Sequence, residues 1–107
     1  MDDPLTTEPE DTIEALRDGL GGRWLVTSQG SQHVWDLDAM TYQRLRGEGR
    51  QRFAHDDATH PITRVVAYPA VGASSHVFFD DPLNPDMEQW RISSTIRLIT
   101  RLPPRVR

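Results

Sequence analysis

The C-terminal stretch QWRISSTIRLITRLPPRVR, residues 89–107, determines how the rest of the chain is interpreted. Apolar side chains occupy nearly every second position from Trp90 to Leu102, and the isoleucines also satisfy helical spacing. The isoleucine and threonine content favours a strand, because β-branched side chains pack well on a pleated surface and lose rotamer freedom in a helix. We therefore expect Trp90–Leu102 to run extended, with a bend or bulge at Ser93–Ser94.

An extended chain would place apolar and basic side chains of this stretch on opposite faces. Trp90, Ile92, Ile96 and Leu98 would face the core, whereas Ile99 would lie among the arginines. This arrangement predicts a basic strip that could bind phosphate, made of Arg91, Arg97, Arg101 and, on a Pro-Pro tail, Arg105 and Arg107. The plainer alternative, which we favour, is a solvated strand face paired with carboxylates such as Glu10, Glu14 and Asp18.

Other segments also have strand character. The meander predicted over residues 23–46 contains RWLVTS, QHVWDLD and TYQRLR, and ITRVVAY and SSHVFFD add two further strands. Residues 47–61 and the segment DDPLNPDME are predicted loops, since both contain turn-forming residues and lack a sustained period.

The N-terminal region predicts a short helix. Thr7 and Glu10 have capping-box spacing, apolar residues recur at Ile13, Leu16 and Leu20, and Gly21-Gly22 supplies a stop. We expect residues 1–7 to be flexible, residues 8–20 to be helical and the helix to pack on the sheet.

The predicted fold class is mainly β (α+β). We expect one domain over residues 1–107, with a short N-terminal helix on a five- or six-stranded, mostly antiparallel twisted sheet or partly closed small barrel. Residues 23–102 would form the β-rich body and residues 103–107 a tail.

Composition limits the classes of function. The chain of 107 residues has no cysteine, which excludes disulfides, zinc–thiolate sites and a thiol nucleophile. Its formal net charge is −4, and its acidic start and lack of a long apolar run predict a soluble, cytoplasmic protein without membrane contact.

The order RWLVTSQGSQHVWDLDAMTYQR, PAVG and WRISSTIRLI is similar to a pattern found in small uncharacterised proteins of actinobacteria and their phages. The resemblance covers about residues 23–102 and leaves out the predicted helix. It implies a compact β-rich domain, and it supplies no reaction, ligand or catalytic residue.

Three sets of residues could carry chemistry. His55, Asp57 and His60 are the weak candidates for a metal site, although their spacing matches no established signature. Asp36 and Asp38 would share a strand face, where we favour a solvated turn over a cation site. The three tryptophans, Trp24, Trp35 and Trp90, are expected to belong to the core rather than to a stacking surface.

No catalytic motif is present, so we expect a non-enzymatic binding or assembly module without a cofactor. Its partner would be another protein or a second copy of the chain, bound through a strand edge or the arginine face. The alternative is a nucleic-acid-binding module that uses the C-terminal arginines, and a metal-dependent enzyme is the third hypothesis.

Overall fold

The computed structural model describes residues 11–45 and 58–104. These residues form seven strands, which together make up a mainly β structure. The strands are β1 (Arg23–Ser28), β2 (Gln32–Asp36), β3 (Thr41–Leu45), β4 (His60–Ala67), β5 (His76–Asp81), β6 (Asn84–Ile92) and β7 (Ile96–Leu102).

All seven strands belong to one antiparallel sheet with the order β6-β5-β4-β3-β2-β1-β7. The sheet is not closed, since β6 and β7 are its two edges. Among the described residues the shortest pairing between neighbouring strands is that of β3 with β4, where Tyr42 pairs with His60 and Thr41 with Pro61.

The short link between β6 and β7 forces this sheet to curl. Seven strands laid flat would separate the two edge strands by about 29 Å, at roughly 4.8 Å per step. The link from Ile92 to Ile96 can span at most about 14 Å. The sheet must therefore bend until its two edges approach each other at the link, and one face becomes an inner face.

The C-terminal stretch is extended on both sides of the expected bend, but it forms two strands rather than one, because β6 ends at Ile92 and β7 begins at Ile96. The predicted loop at DDPLNPDME is correct only for Pro82 and Leu83, because β5 extends to Asp81 and β6 begins at Asn84. The predicted strand count of five or six becomes seven. Pro85 is compatible with a strand in this position because β6 is an edge, where one side of the backbone has no ladder to complete.

The predicted division of side chains along β7 is confirmed for Ile96 and wrong for Leu98 and Ile99. A register shift opposite Thr27 and Ser28 lets both Ile96 and Ile99 face inwards, where Ile99 pairs with Val26. Both isoleucines are fully buried, whereas Leu98 is 45% exposed. The irregularity changes which residues point inwards, and strict alternation could not anticipate it.

Aromatic rings fill much of the inner face. Tyr42 stacks on Phe79 with ring centroids 6.0 Å apart, and His60 stacks on Phe79 at 4.5 Å. Trp35 meets Tyr42 edge-on at 5.6 Å. Because these rings come from β2, β3, β4 and β5, they join the two parts of the sheet across the short β3–β4 pairing.

The N-terminal helix predicted over residues 8–20 is not supported. Among residues 11–20 the structure contains no α-helix, and residues 1–10, with the predicted flexible end and capping box, lie outside the described residues. No helix in the described ranges has the length and apolar character needed to cross a membrane.

Residues 12–16 form an extended seam instead. Thr12 bridges to Thr100 of β7 and Ala15 bridges to Ala70, while the Leu16 N–H donates to Pro69 at 2.9 Å. The apolar residues that predicted a helix face pack against the sheet from this extended segment. Leu16 is 3% exposed and belongs to the core, and Ile13 and Leu20 pack against it. Three apolar residues are too few to hold an isolated helix, and pairing with existing strands satisfies the same backbone groups.

We predict that Leu16→Ala lowers the free energy of unfolding by about 2–4 kcal/mol, because it leaves a cavity where the seam meets the core. Urea denaturation measures the change. Leu83→Ala is the matched control and should have little effect, since Leu83 is 87% exposed. Equal effects of the two substitutions would contradict the seam.

Candidate functional site

The arginines of the predicted basic strip do not share one strand face. Arg91 lies on β6 and pairs with Val77, which places it on the inner face. Arg97 and Arg101 lie on β7, at the other edge in the strand order, and both are exposed. Arg105 and Arg107 lie outside the described residues.

Arg101 has a local packing role. Its guanidinium carbon lies 5.2 Å from the centroid of the Trp24 ring, a cation–π arrangement. Gly22 allows this approach, because a Cβ there would lie 3.2 Å from an Arg101 nitrogen and 3.1 Å from the Trp24 nitrogen. Gly22 also has a φ of 86°, which favours glycine. This contact packs the exposed Arg101 side chain against the Trp24 ring.

The two aspartates predicted to share a strand face hold turns together. Asp36 is buried, and its Oδ1 accepts hydrogen bonds from the N–H groups of Asp38 and Ala39 at 3.0 and 2.9 Å. Asp38 Oδ1 accepts the N–H of Gly22 at 2.9 Å. These contacts support the structural interpretation of both carboxylates over a cation site.

Of the three candidate metal ligands, His60 lies within the described residues. His60 is buried at the start of β4 and stacks on Phe79. His55 and Asp57 lie outside the described residues. Within residues 11–45 and 58–104 no group of three or more metal-ligating side chains is assembled.

The tryptophans divide into two classes. Trp24 and Trp35 are buried in the core, as predicted. The prediction is wrong for Trp90, which is 53% exposed on the outer face of β6 and lies opposite Phe78 of β5. The sequence could not reveal this, since Trp90 begins an alternating apolar run that looks like a core face.

Trp90 belongs to a cluster of exposed and half-buried side chains, which we call the aromatic patch. It contains His76, Phe78, Trp90 and Ile92, and Ile92 is 55% exposed. The His76 ring stacks on Phe78 with centroids 5.1 Å apart and meets the Trp90 ring at 5.9 Å. Trp and Phe are enriched in protein interfaces, so this patch is a candidate contact surface.

One side of the aromatic patch has a charged rim. The Arg64 guanidinium carbon lies 3.8 Å from the centroid of the Phe78 ring. Glu88 accepts a 2.6 Å hydrogen bond from the Thr63 hydroxyl and lies 3.5 Å from an Arg64 nitrogen. An apolar centre with a polar rim is the usual anatomy of a protein–protein contact.

A second candidate lies on the inner face, at the end where the two sheet edges approach. We call it the cationic mouth, a pocket of about 240 Å³. Its principal lining residues are Ser31, His33, Arg44, Arg91, Ser93 and Ser94. Sequence reasoning missed it, although the predicted meander already placed His33 and Arg44 on neighbouring strands, where they pair directly.

His33 is held between polar partners in the mouth. Its Nδ1 lies 2.8 Å from the Tyr42 hydroxyl and its Nε2 lies 3.0 Å from the Ser31 hydroxyl. Burial, reinforced by the positive charges of Arg44 and Arg91, lowers the pKa of His33 from 6.5 to about 4. His33 is therefore neutral at pH 7, and the two arginines supply the positive charge.

We predict that His33 makes folding stability depend on pH. The unfolded chain binds a proton as the pH falls below 6.5, whereas the low pKa of folded His33 delays protonation until about pH 4. Proton binding therefore favours the unfolded state as the pH falls from 6.5 towards 4, and the free energy of unfolding decreases by on the order of 3 kcal/mol in all. Above pH 6.5 His33 causes no such loss.

Urea denaturation above and below this pH window tests the prediction. His33→Gln cannot titrate and keeps a polar side chain, so its stability should fall less on acidification than that of the wild type. Carboxylates contribute to both proteins and cancel in the comparison. If acid destabilises both equally, His33 does not titrate as described.

Comparisons with protein-family models, with curated proteins and with solved structures give no match for this chain. The contacts, burial and charges of the aromatic patch and the cationic mouth are therefore the basis for a proposal.

Proposed function

We propose that the chain is a small non-enzymatic binding module that acts through protein–protein contacts. Its docking element is β6 together with the aromatic patch, and its partner is a second copy of the same chain. The observation that carries this proposal is the exposure of Trp90 on a long edge strand.

The free side of β6 favours strand addition. β6 extends over nine residues, and no strand among the described residues pairs with its outer edge. An exposed edge of this length presents backbone N–H and C=O groups that another extended chain can bind. Apolar side chains strengthen such a contact, and Met87, Trp90 and Ile92 are all exposed on β6.

The edge of β6 is self-complementary. Two copies of this edge can pair antiparallel about a two-fold axis, because each presents the same backbone N–H and C=O groups to the other. An axis near the C-terminal end of β6 would bring Trp90 and Ile92 of one copy next to those of the other.

The same geometry would join the two aromatic patches. A two-fold axis perpendicular to the sheet keeps both outer faces on one side, so Trp90 and Ile92 of each copy would lie across the seam from their counterparts. Covering the exposed half of Trp90 is worth roughly 2–3 kcal/mol per copy in hydrophobic free energy. Backbone pairing alone would not be specific, and the patch supplies the side-chain contribution.

We predict a concentration-dependent dimer in sedimentation equilibrium at micromolar to millimolar concentrations. Trp90→Glu should yield a monomer, because it places a charge in the apolar contact. Leu98→Glu is the matched control on β7, the other edge strand, where Leu98 is exposed, and it should leave the dimer intact.

Two results would contradict this proposal. A wild-type protein that remains monomeric at all these concentrations would exclude self-association. A dimer that survives Trp90→Glu would show that the contact lies elsewhere.

Nucleic-acid binding by the C-terminal arginines stays a prediction. The division of these arginines between the two edge strands does not add support to it. Fluorescence anisotropy with labelled duplex and single-stranded oligomers at low salt tests it, since electrostatic binding is strongest there. Lack of binding under those conditions would exclude it.

A further inference from the structure

The cationic mouth collects positive charge from two distant parts of the sheet. Arg44 lies on β3 opposite His33, and Arg91 lies on β6 opposite Val77, with both side chains on the inner face. Curling of the sheet brings these strands to the same pocket. Every lining residue among those described is neutral or cationic, and none is acidic.

Both arginines are close enough to His33 to affect its pKa. The positive charges of Arg44 and Arg91 each contribute to lowering the pKa of His33, after the larger effect of burial. Two guanidinium groups therefore act on the same small volume. A neutral His33 also avoids a third positive charge, which would add to the repulsion when the mouth is empty.

The loops beside the mouth add hydroxyl groups to the positive charge of the two arginines. The Gly30 N–H donates to Ser94 Oγ at 3.0 Å, and the Gln29 N–H donates to the Thr95 carbonyl at 3.0 Å. These bonds attach the β1–β2 turn to the link between β6 and β7. Ser94 Oγ is an acceptor in its bond with Gly30, so its own proton is available for an anion.

Ser93 completes the rigid wall of the mouth. Its Oγ accepts the Ser75 N–H at 2.9 Å and donates to the Ser94 carbonyl at 2.8 Å. Ser93 is buried, and both hydrogen-bonding roles of its hydroxyl are occupied. It therefore fixes the position of Ser94 and leaves the binding of a ligand to its neighbours.

We propose that the cationic mouth binds a small tetrahedral oxyanion, either free phosphate or the terminal phosphoryl group of a small molecule. Arg44, Arg91 and Ser94 would donate to it from β3, from β6 and from the β6–β7 link. Donors that approach from several directions fit four oxygens arranged as a tetrahedron better than a planar carboxylate. The proposed donors lie outside the aromatic patch, although Ile92 belongs to the patch and also lines the mouth.

The size of the mouth limits the ligand. A volume of about 240 Å³ accommodates a phosphate and part of the group that carries it. This volume is too small for successive nucleotides, so the ligand we propose for it is a small molecule or ion. Both arginines also make contacts elsewhere in the chain, and the five N–H donors of each guanidinium can serve those contacts and an anion together.

Isothermal titration calorimetry with inorganic phosphate at constant ionic strength tests the site. We expect saturable binding at one site per chain, and a rise in melting temperature with phosphate. Arg44→Gln and Arg91→Gln should each weaken binding at least tenfold. Arg97→Gln removes the same charge from an exposed position outside the mouth and should leave the affinity unchanged.

The two sources of the anion are distinguished by a second titration with glycerol 3-phosphate. Tighter binding than that of inorganic phosphate assigns the mouth to a phosphorylated small molecule. Equal or weaker binding assigns it to the free anion. Failure of both ligands to bind overturns the proposal, as does an equal loss of affinity in Arg97→Gln and Arg91→Gln, which would indicate nonspecific charge attraction.

A conservative variant keeps the test interpretable if Arg91→Gln does not fold. If circular dichroism shows that Arg91→Gln is unfolded, Arg91→Lys keeps the charge and removes the planar fork of donors. A folded Arg91→Lys protein should bind phosphate more weakly than the wild type. Wild-type affinity in that variant would overturn the assignment of Arg91 as a direct ligand.

Discussion

The structure depends on one geometric constraint, the short link between β6 and β7. These consecutive strands lie at opposite edges of a seven-stranded sheet, and only Ser93, Ser94 and Thr95 connect them. A link of this length cannot cross a flat sheet of this width, so the sheet has to curl. The enclosed core, with its aromatic contacts between the two parts of the sheet, follows from that curvature.

The same constraint produces both candidate surfaces. Curling brings Arg91 of one edge strand towards His33 and the β1–β2 turn, where hydrogen bonds from Gly30 and Gln29 hold the link in place. Trp90 and Ile92 of the same strand remain accessible to a partner. A single strand thus contributes a cation to an inner pocket and apolar side chains to an outer contact surface.

Much of the strand content could be predicted from local pattern. The meander over residues 23–46 and the extended course of residues 90–102 were visible as alternation and β-branched composition. The helix over residues 8–20 could not be excluded in this way, because three apolar residues at helical spacing serve an extended seam equally well. Nor could alternation reveal that a register shift turns both Ile96 and Ile99 inwards, or that Arg91 lies on one edge strand while Arg97 and Arg101 lie on the other.

The sequence by itself determined the β-rich class, the positions of most strands and the lack of cysteine chemistry. These properties depend on composition and on contacts between near neighbours in the chain. Only the tertiary structure decided which residues share a surface, because that depends on strand order, register and curvature. Arg44 and Arg91 are separated by 46 intervening residues yet line one pocket, whereas Arg91 and Arg97 are near neighbours in sequence and lie on opposite edge strands.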